Sequence, residues 1–156
     1  MLKTKIFLVF FLIAGAFSSC KKDNYDAEQQ LAIDDGLIKD FITKNSIAAV
    51  KDEDSGIYYQ VIASGSGSIN YTAATRVTVN YEGRLLNGSV FDKSSSAKEF
   101  TLGKLVQGWQ IGLRHIQKGG KIRLLIPSTL GYMNQASVGI PENSVLDFTI
   151  ELINAQ

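Results

Sequence analysis

The feature that most constrains the fold is a period-two pattern of apolar residues, which returns four times along the chain. The pattern occupies residues 57–61, 77–81, 122–126 and 146–152. Strict alternation is typical of antiparallel β-strands that bury one face and leave the other in water. After the second of these strands, Asn87 and Gly88 predict a hairpin turn, because both residues tolerate positive φ. The sequence therefore predicts an antiparallel sheet.

One short helix interrupts the predicted strands. Its apolar face, at helical spacing, consists of Val106, Trp109, Leu113 and Ile116. Gly119 and Gly120 are expected to end this helix. Gly108 and Gly112 are poor helix formers, so their presence indicates a helix that lies too close to the sheet for side chains to fit between. The predicted fold class is α+β, a twisted antiparallel sheet wrapped over one short helix, with a short N-terminal helix before it.

The first twenty residues have the composition of an export signal. Two lysines precede a nearly unbroken apolar run over residues 6–17, which is too short and wrongly flanked for a membrane span. Two serines then lead into Cys20, an arrangement similar to the lipobox at which lipoprotein precursors are diacylated and cleaved. We interpret residues 1–19 as a lipoprotein signal peptide and Cys20 as the lipidated residue. The alternative is an ordinary cleaved signal followed by an incidental cysteine.

Charge and composition exclude several classes of function. The chain has 16 basic and 15 acidic residues, and removal of residues 1–19 with their two lysines leaves 14 and 15, a net charge of −1. With no basic surplus, a nucleic-acid partner is not expected. Cys20 is the only cysteine, so no disulfide is expected and the fold depends on its hydrophobic core. His115, the only histidine, cannot build a metal site or a triad alone, and we interpret it as a surface residue.

Residues 20–55 are expected to connect the lipid anchor to the main domain, which we place at residues 56–156. The polar stretch 21–30 is typical of a flexible tether. A short amphipathic helix is predicted within residues 28–45, from the spacing of Leu31, Ile33, Leu37, Ile38, Phe41 and Ile42. This helix is expected to pack on the domain or on a second copy of the chain, and no chemistry is predicted for it.

Five segments of the main domain occur, in the same order, in a known family. They read V-x-V-x-Y-x-G from Val77, F-D-x-S from Phe91, L-V-x-G-W-x-x-G-L from Leu105, G-G-K-x-R-L-x-I-P from Gly119, and a terminal strand that ends in Glu151 and Leu152. On these motifs the chain resembles the FKBP-type peptidyl-prolyl cis-trans isomerases over almost the whole globular part. The resemblance implies catalysis on proline-containing polypeptides without a cofactor or metal.

The resemblance also implies a role for each residue of an apolar pocket. Trp109 would form the floor, and the walls would be Tyr81, Phe91, Leu105, Val106, Ile140 and Phe148. The Asp92 carboxylate is expected at the rim, near the bound amide. The Tyr132 hydroxyl is expected to donate a hydrogen bond to one ligand carbonyl, and the backbone N–H of Ile140 to hold the neighbouring one. Asp92, Tyr132 and Trp109 are thus the predicted catalytic residues, and macrolide inhibitors such as rapamycin are candidate ligands.

Two departures from the family pattern keep other functions open. Lys98 stands where many members have an aromatic residue, which indicates a missing pocket wall, and Met133 stands where glycine is common. Our first interpretation is an isomerase of the cell envelope, lipid-anchored to a membrane (the outer membrane, on its periplasmic or surface face), that assists the folding of exported proteins. One alternative is a binding module or chaperone of the same fold with weak catalysis. Another is a lipoprotein for adhesion or assembly that binds through its N-terminal helix.

Overall fold

The computed structural model describes residues 25–156. The helices are α1 (Ala27–Asn45) and α2 (Gln107–Gly112). The strands are β1 (Val50–Lys51), β2 (Tyr58–Ala63), β3 (Arg76–Leu85), β4 (Val90–Lys93), β5 (Lys98–Thr101), β6 (Lys121–Ile126) and β7 (Leu146–Ala155), and 3₁₀ turns span Leu102–Lys104, Leu113–His115 and Ser128–Leu130. Neither helix of this range is long and apolar enough to cross a membrane. The predicted signal peptide and Cys20 lie outside the described residues.

The strands of this range form one antiparallel sheet in the order β1-β2-β6-β7-β3-β4. The long strand β3 pairs with β7 on one side, with Val77 opposite Ala155 and Leu85 opposite Leu146. Its other side is shared by two short strands, β5 along its first half and β4 along its second half. The sheet, with a short helix against one face, confirms the predicted α+β class.

Helix α2 lies against the inner face of the sheet with almost no space between them. A Cβ atom at Gly108 would lie 2.3 Å from Ile126 Cγ2, and one at Gly112 would lie 2.5 Å from Leu124 Cδ1. Interiors are packed too densely to absorb such overlaps, so both positions need glycine, as expected from the sequence. The close approach places the first turn of α2, which carries Trp109, directly on the sheet.

Helix α2 is shorter than predicted. It continues only as the 3₁₀ turn Leu113–His115, and Ile116 is already extended, with φ −131° and ψ 166°. Gly119 and Gly120 therefore do not end the helix, and Gly119 adopts φ +79° in the turn before β6. The helix stops early because the backbone beyond it bonds to other segments: the Ile116 carbonyl accepts a hydrogen bond of 3.0 Å from the Tyr71 hydroxyl.

Helix α1 covers part of the outer face of the sheet. Its Ile38 is completely buried in a second apolar cluster with Tyr58, Leu125 and Val145. The prediction of one buried and one solvated face is therefore wrong at β2 and β6: Tyr58 is buried, whereas Val61, expected inside, is 37% exposed. Alternation within a strand cannot reveal this, because the covering helix comes from another part of the chain.

Polar contacts also fix α1 in place. The predicted helix is confirmed, and it begins after Asp26, whose carboxylate caps the first turn. Asp35 accepts a hydrogen bond of 2.8 Å from the Tyr58 hydroxyl and forms ion pairs with Lys39 (2.7 Å) and Lys51 (2.9 Å). The hydrogen bonds from Lys39 and Lys51 hold the pKa of the Asp35 carboxyl well below its usual value.

The hairpin between β3 and β4 forms where Asn87 and Gly88 predict it. Gly88 adopts the left-handed region, with φ +89°, and its N–H donates to the Leu85 carbonyl (2.9 Å). Asn87 does not adopt positive φ; its side-chain oxygen instead accepts from the Ser89 N–H (2.9 Å). The turn sets the register of β4 and with it the position of Asp92.

Candidate active site

A cavity of about 310 Å³ opens at the start of α2, on the inner face of the sheet. Its lining residues are Tyr81, Asp92, Phe100, Lys104, Leu105, Val106, Trp109, Tyr132 and Phe148. The structure therefore brings Asp92, Trp109 and Tyr132 together although they lie far apart in sequence. Most of the lining is aromatic or aliphatic, and its few polar groups come from four separate segments of the chain. Such a cavity suits an apolar ligand group that is oriented by a small number of hydrogen bonds.

Trp109 forms the floor of this cavity and is 4% exposed. Three aromatic rings stand nearly perpendicular to it: Tyr81 at a centroid distance of 5.3 Å, Phe148 at 5.1 Å and Phe100 at 6.4 Å. Perpendicular pairs of this kind are the favoured arrangement of aromatic rings. The indole N–H is buried and has no hydrogen-bond partner within residues 25–156. The floor of the cavity is therefore well packed and screened from water.

Tyr81 and Asp92 form the polar rim of the cavity. The Tyr81 hydroxyl donates a hydrogen bond of 2.8 Å to Asp92 Oδ2. Burial, followed by this bond to Asp92, raises the pKa of Tyr81 to about 12, because both disfavour the tyrosinate. Tyr81 is therefore a neutral donor at physiological pH, while Asp92 is exposed at the cavity mouth.

Tyr132 reaches the cavity from the loop after β6. It is 38% exposed, and among the described side chains and backbone atoms its hydroxyl has no hydrogen-bond partner. The next residue, Met133, has φ +56°, a left-handed conformation that glycine adopts most easily. This conformation gives a physical reason for a glycine at this position. Met133 reaches it without glycine, and its N–H donates to the Ser128 carbonyl (2.8 Å).

Phe91 and Ile140 are predicted wall residues that do not line the cavity in this structure. The Phe91 ring lies behind Phe148, at a centroid distance of 5.4 Å and nearly perpendicular to it. Ile140 is buried, and its N–H donates to the Ser137 carbonyl (3.0 Å) while its own carbonyl accepts from the Ser137 N–H (2.8 Å). The hydrogen bond expected from Ile140 to a ligand therefore requires this bridge to open.

Sequence reasoning missed Phe100 and Lys104, which both line the cavity. Phe100 lies two residues after Lys98 on the same face of β5, and its ring contacts Tyr81 and Trp109. The wall expected to be missing at Lys98 is thus supplied by Phe100. Strand β5 has only four residues, too few for a periodic signal, so only its pairing with β3 shows where Phe100 points.

His115 is not the plain surface residue expected from the sequence. Its side chain is 27% exposed, and its Nε2 lies 3.4 Å from Asp52 Oδ2. The imidazole also stacks on the Tyr59 ring, with centroids 3.9 Å apart and planes 13° from parallel. His115 therefore joins the 3₁₀ turn that follows α2 to strand β2, and it does not line the cavity.

The fold and the cavity together define a class, an α+β domain with an apolar cavity above a buried tryptophan. The family model for the FKBP-type peptidyl-prolyl cis-trans isomerases matches residues 67–153. The chain therefore belongs to this family.

Proteins similar to this chain include bacterial and fungal members. It is 42% identical over 110 residues to the isomerase FkpA of Escherichia coli, a match that covers 69% of this chain and 40% of that protein. It is 37% identical over 134 residues to FK506-binding protein 3 of Candida albicans, covering 83% of this chain and 30% of that protein. The chain thus spans less than half the length of these relatives.

Two crystal structures show the same fold. Escherichia coli FkpA superimposes with a TM-score of 0.70 at 34% identity, over 83% of this chain and 62% of that one. A peptidyl-prolyl cis-trans isomerase of Pseudomonas syringae superimposes with a TM-score of 0.70 at 31% identity, over 84% of this chain and 96% of that one.

Proposed function

We propose that this chain catalyses the cis-trans isomerisation of X–Pro bonds in polypeptides. The observation that carries the proposal is the Trp109 floor, enclosed by Tyr81, Phe100 and Phe148 and open to solvent on one side. A pyrrolidine ring is a compact apolar group that fits above such a floor. Its neighbouring carbonyls would lie at the rim, where the hydrogen-bonding groups are. Membership of the isomerase family supports this reading.

The physical problem in this reaction is a rotation, not a bond cleavage. Amide resonance produces a barrier of about 18–20 kcal/mol, so an X–Pro bond isomerises only over tens of seconds or longer. A dry aromatic cavity disfavours the charge-separated resonance form and thus weakens the double-bond character of the C–N bond. Walls shaped for the twisted bond stabilise the transition state more than either ground state. Both effects need only packing and exclusion of water.

In this proposal the polar groups act by electrostatics and orientation. Asp92 lies near the carbonyl carbon of the twisting amide, and Tyr132 donates a hydrogen bond to a ligand carbonyl. No proton is transferred, so neither group needs a pKa matched to the working pH. Lys104, on the cavity wall, adds a positive charge that would favour clients with an acidic residue beside the proline.

The test is the rate of a refolding reaction limited by proline isomerisation. The purified chain is expected to accelerate it, rapamycin to inhibit it, and Trp109→Leu to abolish it. His115→Gln is a control, because His115 lies in the 3₁₀ turn that follows the same helix and contacts Asp52 and Tyr59, not the cavity. A folded wild-type protein that leaves the refolding rate unchanged would refute the proposal.

We also propose that the chain is a lipoprotein of the cell envelope whose clients are exported proteins. Residues 1–19 would be the signal peptide, residues 20–55 the tether and α1, and residues 56–156 the isomerase domain. The apolar run before Cys20 supports this arrangement. Cells that express the chain are expected to incorporate labelled palmitate into it, and Cys20→Ala is expected to remove the label. An unlabelled wild-type protein would show that Cys20 is not lipidated.

A further inference from the structure

Helix α1 contacts the segment that precedes Tyr132 through a buried carboxylate. Asp34 is 0% exposed, and its Oδ2 accepts hydrogen bonds from the Ser128 N–H (2.7 Å) and the Ser128 hydroxyl (2.6 Å). Its Oδ1 accepts from the side-chain amide of Gln30 (2.8 Å). A carboxylate is stable away from water only when hydrogen bonds satisfy it. The two Ser128 donors therefore fix α1 and Ser128 relative to each other, and the Gln30 amide, from within α1, satisfies the other carboxylate oxygen.

Ser128 in turn holds the backbone on both sides of Tyr132. Its carbonyl accepts hydrogen bonds from the Gly131 N–H (2.9 Å) and the Met133 N–H (2.8 Å). The left-handed conformation of Met133, with φ +56°, is unfavourable for a residue with a side chain and persists only where neighbouring structure imposes it. The direction of the Tyr132 side chain therefore depends on the position of Ser128.

We propose that Asp34 is a positioning residue for Tyr132. Through Ser128 it holds residues 128–133 in the conformation that points the Tyr132 hydroxyl at the cavity. The inference rests on the proposed isomerase function and extends it to helix α1, which precedes the residues matched by the family model. Helix α1 thereby becomes part of the catalytic unit, since loss of Asp34 would leave both Ser128 donors buried without a partner.

The first experiment compares the full chain carrying Asp34→Ala with the full chain carrying Asp35→Ala. Asp35 is a matched control, because it anchors the same helix through Lys51 and Tyr58 but does not contact residues 128–133. In the refolding assay kcat/KM is expected to fall about tenfold for Asp34→Ala and to stay within about twofold for Asp35→Ala. Equal losses would show that docking of the helix, not Asp34, matters, and would overturn the proposal.

The second experiment asks whether Asp34 acts through the Tyr132 hydroxyl. Tyr132→Phe is introduced into the wild type and into Asp34→Ala, and kcat/KM is measured for all four proteins. If the hydroxyl is already misplaced in Asp34→Ala, its removal there has little further effect, so the two changes are strongly non-additive. Losses that simply multiply would overturn the proposal, because a purely structural contribution of Asp34 would produce that result.

Amide hydrogen exchange provides a measurement that does not depend on catalysis. Asp34→Ala is expected to accelerate exchange of the Gly131 and Met133 amides about tenfold or more relative to Asp35→Ala. Asp34→Asn retains an acceptor oxygen, so most of the protection against exchange is expected to remain in that variant. Wild-type protein without isomerase activity would refute the proposed function, while the exchange data would still test the role of Asp34.

A variant of Ser128, the residue that Asp34 bonds, tests the proposal if Asp34→Ala does not fold. Ser128→Ala removes the hydroxyl bond alone and leaves α1 in place. The amides of Gly131 and Met133 are expected to exchange faster in this variant as well. Unchanged exchange at both amides would overturn the proposal.

Discussion

The hydroxyl of Tyr81 donates a hydrogen bond of 2.8 Å to Oδ2 of Asp92, across the paired strands β3 and β4. The Tyr81 ring also stands nearly perpendicular to Trp109, with centroids 5.3 Å apart. One side chain therefore joins the apolar floor of the cavity to its charged rim. Because the pKa of Tyr81 is raised to about 12, the hydroxyl remains a donor throughout the neutral range.

Tyr81→Phe tests this relationship, since it keeps the ring and removes only the hydroxyl. We expect kcat/KM for prolyl isomerisation to fall about fivefold, which corresponds to ~1 kcal/mol for one hydrogen bond to an exposed charged group. Tyr71→Phe is the control: its hydroxyl bonds the Ile116 carbonyl away from the cavity, so it should lower stability and leave kcat/KM unchanged. An unaltered kcat/KM in Tyr81→Phe would show that the bond to Asp92 has no part in catalysis.

Phe100→Ala tests the wall that sequence reasoning missed. The substitution removes two aromatic contacts, to Tyr81 and Trp109, so binding of rapamycin, measured by Trp109 fluorescence, should weaken about tenfold. Lys98→Ala is the matched control, because Lys98 lies on the same face of β5 but is exposed. It should change the affinity for rapamycin by less than about twofold. If Lys98→Ala has the larger effect, the wall has been assigned to the wrong residue.

Two glycine-to-alanine substitutions should have opposite effects on stability. At Gly108 the new methyl group would lie 2.3 Å from Ile126. The destabilisation from this overpacking should exceed the stabilisation from the better helix propensity of alanine, so we expect a net loss of stability of about 1–2 kcal/mol. At Gly36, in α1, a Cβ meets nothing within 4 Å, so alanine should stabilise the protein by up to about 1 kcal/mol. Urea denaturation measures both values, and stabilisation by alanine at Gly108 would contradict the close packing of α2.

The ion pairs of Asp35 make stability depend on pH in acid. The folded state lowers the pKa of Asp35, so its contribution is fully present above the ordinary aspartate value of about 3.9. It is lost as the pH falls through the lowered folded value. We expect Asp35→Asn to cost about 1 kcal/mol at neutral pH, and the difference in the free energy of unfolding from wild type to shrink below about pH 4. A difference in the free energy of unfolding that stays constant down to pH 2 would refute this assignment.

Some features of the site could be predicted because their signals are local or carried by family motifs. The glycines at positions 108 and 112 indicate a helix pressed on a sheet, and the structure confirms it. Asp92, Trp109 and Tyr132 follow from the resemblance to the family, and the structure places all three at one cavity. Their catalytic roles remain predictions: Trp109→Leu and Tyr132→Phe test two of them directly, and Tyr81→Phe tests the hydrogen bond to Asp92.

Other features could not be read from local patterns. Phe100 lies on a strand too short to show a period, and Tyr58 is buried by a helix from another part of the chain. The bond between Asp34 and Ser128 joins residues that are 94 positions apart. In each case the neighbour that decides burial or hydrogen bonding is remote in sequence.

The sequence by itself determined the antiparallel sheet, the close packing of the short helix, and the family, because alternation, glycine spacing and ordered motifs are properties of the chain. The tertiary structure alone decided which residues enclose the cavity, that α1 covers part of the outer face of the sheet, and that Asp34 accepts hydrogen bonds from Ser128. These outcomes depend on which segments, distant in sequence, come into contact when the hydrophobic core forms. A polar side chain such as Asp34 acquires its partner only at that step.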